Sequence, residues 1–144
     1  MKRVFIDSSA LFSAVYSSRG YARDLLLLGV REQTLLIISS LVKEETTRNL
    51  AGFAPETTTL LEHIFEWVPF EVVDPPRHAI IEAANLVALK DAPILAAAKA
   101  ASVNALVTLD QRHLLDRPEL EVFIAAQILR PKEACEWILA EGIG

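Results

Sequence analysis

Cysteine occurs only once in the 144 residues, at Cys135, so no disulfide can close within the chain. That usage suits a reducing compartment, and a cytoplasmic location is expected. Glycine is scarce, five in all. Neither a P-loop nor a Gly-x-Gly-x-x-Gly motif occurs, which removes the usual sequence signs of a nucleotide cradle. No run of about 18 apolar residues exists, so no membrane span is expected. The longest apolar runs, such as Leu25 to Leu28 and Ile94 to Ala98, have the length of core segments. The start does not read as a secretory leader, because only Val4, Phe5 and Ile6 precede the carboxylate of Asp7. The three histidines, His63, His78 and His113, are spaced like no histidine metal motif. Flanking glycines are absent around Ser8 and Ser9, so they form no nucleophile elbow.

What is present is an ordinary globular composition, 52% apolar and 23% charged, sufficient for one compact domain over residues 1–144. The net charge of −5 counts weakly against a nucleic-acid partner, since phosphate contacts need Lys and Arg. With four clustered carboxylates set aside, the remainder carries only −1, and bound divalent ions would neutralise the cluster itself.

Strand and helix patterns alternate along the chain. Arg3 to Ile6 reads as a buried strand, followed by Ser8 and Ser9 opening a helix that Gly20 breaks. A second helix is expected over Tyr21 to Leu28, stopped by Gly29. Strands follow at Thr34 to Ile38, Phe70 to Val73 and Ala105 to Thr108, with a last one between Val122 and Leu129. Helices are expected from Ser39 or Ser40 to Leu50, Glu56 to Trp67, Ile80 to Val87, Asp91 onward and Pro131 to about Ala140. The alternation predicts an α/β fold, a three-layer α/β/α sandwich with a central, mainly parallel sheet.

In such a sheet ligands bind beyond the carboxyl ends of the strands. Asp7 directly follows the first strand, and Asp110 lies two residues past the fourth. Asp91 opens the helix before that strand, and Glu45 lies within the helix after the second. Each has a bland alternative: Asp7 and Asp91 as helix caps, Asp110 as a turn residue, Glu45 as a solvated helix residue. Together they place four acids at one rim. Like charges a few ångströms apart raise one another's pKa, and a divalent cation with oxygen ligands, Mg²⁺ above all, relieves that cost. A metal so held suits phosphoryl displacement.

The stretches that carry these acids resemble the PIN-domain family, and do so in order over nearly the whole chain. Val4-Phe5-Ile6-Asp7-Ser8-Ser9 resembles the family's opening strand. Ile38-Ser39-Ser40-Leu41-Val42-Lys43-Glu44-Glu45 is similar to its second motif, Lys90-Asp91-Ala92-Pro93 to its third, and Ala105-Leu106-Val107-Thr108-Leu109-Asp110 to its fourth. The last two, with Asp91 and Asp110 separated by 19 positions, are the most specific.

The resemblance implies an Mg²⁺- or Mn²⁺-dependent ribonuclease that hydrolyses RNA phosphodiester bonds. It also implies a homodimer and, as in many toxins of toxin–antitoxin pairs, a small antitoxin protein as partner. Asp7, Glu45, Asp91 and Asp110 would hold metal directly or through water, with Ser8 and Thr108 orienting ligands behind them. Glu45 is favoured over the adjacent Glu44 because it lies beside the apolar stripe of Leu41 and Val42. Arg112 and His113 are candidates to touch substrate phosphate, with Arg19, Arg23 and Lys90 further ones near the rim.

Two other readings stay open. One is a non-catalytic PIN-fold scaffold that binds RNA or protein. The other is a haloacid-dehalogenase-like phosphatase, disfavoured because Ser9 stands where that family has a second Asp.

Overall fold

The computed structural model describes residues 1–141. Five strands form one sheet: β1 (Arg3–Ile6), β2 (Leu35–Ile38), β3 (Glu71–Val72), β4 (Ala105–Val107) and β5 (Gln127–Leu129). Their spatial order is β3-β2-β1-β4-β5, and every neighbouring pair is parallel. β1 is central, with Val4 opposite Leu36 on one side and Ala105 on the other. The chain therefore builds outward from β1 through β2 and β3, then crosses over to β4 and β5. The crevice between the carboxyl ends of β1 and β4 is the topological switch point, where open α/β sheets bind ligands.

Eight α-helices cover the sheet: α1 (Ser8–Tyr16), α2 (Tyr21–Val30), α3 (Ser40–Phe53), α4 (Thr58–Trp67), α5 (Arg77–Ala83), α6 (Ala92–Ala100), α7 (Pro118–Ile124) and α8 (Pro131–Glu141). α1 packs on α2 and α3, and α2 on α8, while α5, α6 and α7 form a second group. The result is the three-layer α/β/α sandwich expected. Val4, Phe5, Leu36, Ile37 and Leu106 are wholly buried in the sheet, as the continuous apolar strands of a two-sided parallel sheet require. α6 lays Leu95, Ala96, Ala97 and Ala98 into the core, its small side chains allowing close approach to the sheet.

Several boundaries differ from the sequence reading. α2 does not stop at Gly29 but runs to Val30. Its end is a Schellman turn: Gln33 N–H donates to Leu28 O, Glu32 N–H donates to Gly29 O, and Glu32 takes the left-handed φ of 57°. Gly29 is small for another reason, because a Cβ there would lie 2.5 Å from Leu36 Cδ1. Ser39, not Ser40, caps α3, accepting from Val42 N at 3.2 Å. Ser40 instead donates its N–H and hydroxyl to Asp74. The helix expected from Glu56 opens with a 3-10 turn, Pro55–Thr57, before α4 begins. β3 is two residues long, and α5 ends at Ala83 rather than near Val87.

Helix α7 is an addition. Its β-branched Val122 and Ile124 suggested a strand, yet Pro118 sits in the first turn with Glu119 and Glu121, a favourable helix start. Leu120 and Ile124, four apart, are its buried pair. The run Leu25 to Leu28 is mostly core, as its length suggested: only Leu27 is exposed.

Candidate metal centre

Asp7 is held at the end of β1 by three donors. It is the N-cap of α1, and its Oδ1 accepts from Ala10 N at 2.9 Å and from the Ser9 hydroxyl at 2.7 Å. Its Oδ2 accepts from the Thr108 hydroxyl at 2.5 Å. Burial raises the Asp7 carboxyl above its ordinary value; these donors oppose the shift, and the neighbouring charge of Asp110 adds to it.

Thr108 connects Asp7 and Asp110. Fully buried just beyond β4, it donates to Asp7 and accepts from Asp110 N at 3.0 Å. Ser9 adds a second tie, accepting from Leu109 N at 3.0 Å. Thr108 thus holds Asp7 and the Asp110 backbone together. Ser8 does not make the corresponding contacts: its hydroxyl is buried without a partner, and Ser9 makes them. The reason is helix geometry. With Asp7 as N-cap, Ser9 is the second residue of α1, where the side chain can turn back to the capping carboxylate, whereas Ser8 at the first position points elsewhere.

Asp110 takes the turn role. Its Oδ1 accepts from Arg112 N at 3.1 Å and His113 N at 3.0 Å. The His113 ring folds back so that Nδ1 lies 3.2 Å from Oδ1 and 3.1 Å from Oδ2. The Arg112 side chain is exposed beside them.

Asp91 sits at the N-cap position of α6 but does not cap it. Its backbone is αR, with φ −96° and ψ −17°, and its side chain accepts no capping bond. An N-cap carboxylate normally reaches the second or third helical N–H from an extended backbone. Here Pro93 at the second position has no N–H, and the αR backbone turns the carboxylate away. Asp91 Oδ2 is consequently buried with no hydrogen-bond partner. One oxygen from Asp91, one from Asp110 and a ring nitrogen of His113 lie within 4.8 Å of one another. Asp110 is the shared member of both the pair with Asp7 and this trio.

Glu45 is half-buried on α3 and Glu44 is exposed. Neither belongs to the trio, and among the described residues Glu45 has no hydrogen-bond or ion-pair partner. Arg23, considered near the rim, is engaged elsewhere: its guanidinium donates to Ala14 O and Val15 O at the carboxyl end of α1. Ser9 and the grouping of His113 with the acids were absent from the sequence reading. The available signals were a serine two positions after a capping Asp and a histidine three positions after a turn Asp.

No family model and no curated protein matches the sequence. Among solved structures, the fold is similar to that of PAE2754 from Pyrobaculum aerophilum, with a TM-score of 0.67 at 20% identity over 96% of each chain. It is also similar to FitAcB from Neisseria gonorrhoeae, with a TM-score of 0.57 at 17% identity, over 89% of this chain and 97% of that one. Likeness at such identities speaks to architecture, and the architecture is a PIN-like α/β/α sandwich.

Proposed function

We propose that this chain is a divalent-metal-dependent ribonuclease of PIN type, hydrolysing RNA phosphodiester bonds. The observation that carries the reading is the buried, partnerless Asp91 Oδ2 beside Asp110. A buried carboxylate oxygen without a donor costs several kcal/mol in order of magnitude unless a cation satisfies it. The donors present, mostly carboxylate oxygens, are those Mg²⁺ and Mn²⁺ prefer. The residues therefore fit the metal, with Asp7, Asp91 and Asp110 as its holders and Glu45 completing the set from α3.

The chemistry a bound ion supplies is activation of water and neutralisation of phosphoryl charge. The protein's own contribution is rigidity. Thr108, Ser9 and the Ala10 N–H fix Asp7 in one rotamer, and the turn N–H groups of Arg112 and His113 fix Asp110. In this reading the exposed Arg112 side chain meets a substrate phosphate.

A protein partner, whether a second copy or a small antitoxin, is supported by an exposed aromatic group at the far end of α1. Phe12, Tyr16 and Phe53 have ring centroids 5.3–5.9 Å apart, and Tyr16 and Phe53 are 52% and 66% exposed. Light scattering of the purified chain gives its mass directly, and a monomer would remove the homodimer.

The functional test is incubation with labelled structured and single-stranded RNAs in Mg²⁺, Mn²⁺ or EDTA, with Asp91→Asn in parallel. Metal-dependent cleavage lost in the variant supports the proposal. Absence of both cleavage and metal binding would leave a non-catalytic scaffold.

A further inference from the structure

We infer that His113 is a nitrogen donor to this metal centre beside Asp91 and Asp110, so that the site favours Mn²⁺ over Mg²⁺. The inference rests on the metal-dependent reading above and adds a ligand of a different chemical kind.

The geometry comes first. A ring nitrogen of His113 lies within 4.8 Å of one oxygen from each of Asp91 and Asp110. Nδ1 is 3.1 Å from Asp110 Oδ2. Neighbouring donors around a six-coordinate ion with bonds of roughly 2.0–2.2 Å are about 3 Å apart, so this pair already spans one edge of such a shell. Asp110 Oδ1 is taken up by two backbone N–H groups, whereas among the described residues Oδ2 has no hydrogen-bond partner but His113.

The electronic argument follows. A carboxylate oxygen and an imidazole nitrogen at that separation both present lone pairs, and something positive must lie between or beside them. Either Nδ1 carries a proton and donates to Asp110, or Nδ1 is bare and both atoms face a common cation. Asp91 favours the second. Its buried Oδ2 has no donor, and a proton shared by His113 and Asp110 leaves it still unsatisfied. A cation among the three satisfies all of them at once. The ring is also held in place without the metal, since the backbone N–H of His113 is fixed to the same carboxylate it approaches.

Ligand chemistry sets the preference. Mg²⁺ is a hard ion that takes oxygen donors almost exclusively, whereas Mn²⁺, a first-row transition ion that also prefers oxygen, accepts an imidazole nitrogen more readily. Exchanging one oxygen for nitrogen therefore penalises Mg²⁺ more than Mn²⁺.

The test uses the full chain loaded with Mn²⁺ alone, read by pulsed electron paramagnetic resonance for nitrogen hyperfine coupling, with competitive Mn²⁺ and Mg²⁺ titrations by calorimetry. Wild type is expected to show the coupling, and His113→Ala to lose it. The variant should bind Mn²⁺ at least about tenfold more weakly, the low end of what loss of even an outer partner costs, while Mg²⁺ affinity falls by a smaller factor. Bound Mn²⁺ without nitrogen coupling in wild type, or an unchanged Mn²⁺:Mg²⁺ ratio in His113→Ala, would overturn the inference and leave His113 as a support for Asp110. The metal-dependent reading survives that result. Failure of wild type to bind either ion would overturn both.

Discussion

The Thr108 hydroxyl and Asp7 Oδ2 are 2.5 Å apart, joining residues separated by 101 positions. The same hydroxyl oxygen accepts from Asp110 N, so one small side chain fixes two acids. Thr108→Val keeps the shape and removes both bonds inside a fully buried site. It is expected to destabilise the fold by about 1–3 kcal/mol, the cost of leaving a buried polar group without its partner. Thr108→Ser should recover most of this. Urea unfolding of the three proteins measures it, and a Val variant as stable as wild type would show that the bond contributes nothing.

Asp7 itself is a group that the fold holds at a cost. Burial raises its carboxyl above 3.8, with Asp110 adding to the shift, so the folded chain holds this proton more tightly than the unfolded chain does. Its stabilising contribution is complete below about 3.8 and is lost as pH rises through the folded value. Without metal, Asp7→Asn is therefore expected to melt higher than wild type near neutral pH, and the advantage should vanish in acid. Added Mn²⁺ should narrow or reverse the difference by stabilising wild type selectively. Thermal melts at the two pH values, with and without metal, check both signs.

The parallel sheet was legible because its strands are continuous apolar runs: Val4 to Ile6, Leu36 to Ile38 and Ala105 to Val107 all fall where the pattern puts them. The rim positions of Asp7, Asp91 and Asp110 followed from those strand ends. What the pattern could not reach was side-chain direction. Whether Asp91 caps α6 or turns inward depends on Pro93 and on one backbone angle, and whether Ser8 or Ser9 reaches Asp7 depends on a single step of helical phase. α7 was obscured because Val122 and Ile124 favour strands locally, and burial of Leu120 and Ile124 against the core outweighs that preference.

Two helical glycines should respond oppositely to alanine. At Gly29 an added Cβ meets Leu36 Cδ1 at 2.5 Å and Cγ at 2.9 Å, and Leu36 is only 1% exposed in the central part of the sheet. Gly29→Ala is expected to cost about 1–3 kcal/mol through overpacking. At Gly52, inside α3, nothing lies within 4 Å of the added atom. Gly52→Ala is expected to stabilise by about 0.4–1 kcal/mol by restricting the unfolded chain. Calorimetric melting of both variants tests the pair.

Cys135 should be chemically quiet. Burial, with help from Asp24 and Glu136, pushes its thiol up to about 11, and its Sγ donates to Tyr21 O at 3.4 Å. Since the thiolate is the reactive form, native protein at mildly alkaline pH is expected to label with a thiol reagent orders of magnitude more slowly than the urea-unfolded chain. Comparable rates in the two states would mean that α8 opens readily.

The pairing of β1 with β4 has a consequence for synthesis. Asp7 leaves the ribosome first, but its rigid placement requires Thr108, and its companions Asp91 and Asp110 arrive late in translation. No nascent chain shorter than β4 and its following turn can assemble the acid cluster. The acid cluster is therefore a property of the closed sheet, and no fragment that ends before Asp110 carries it.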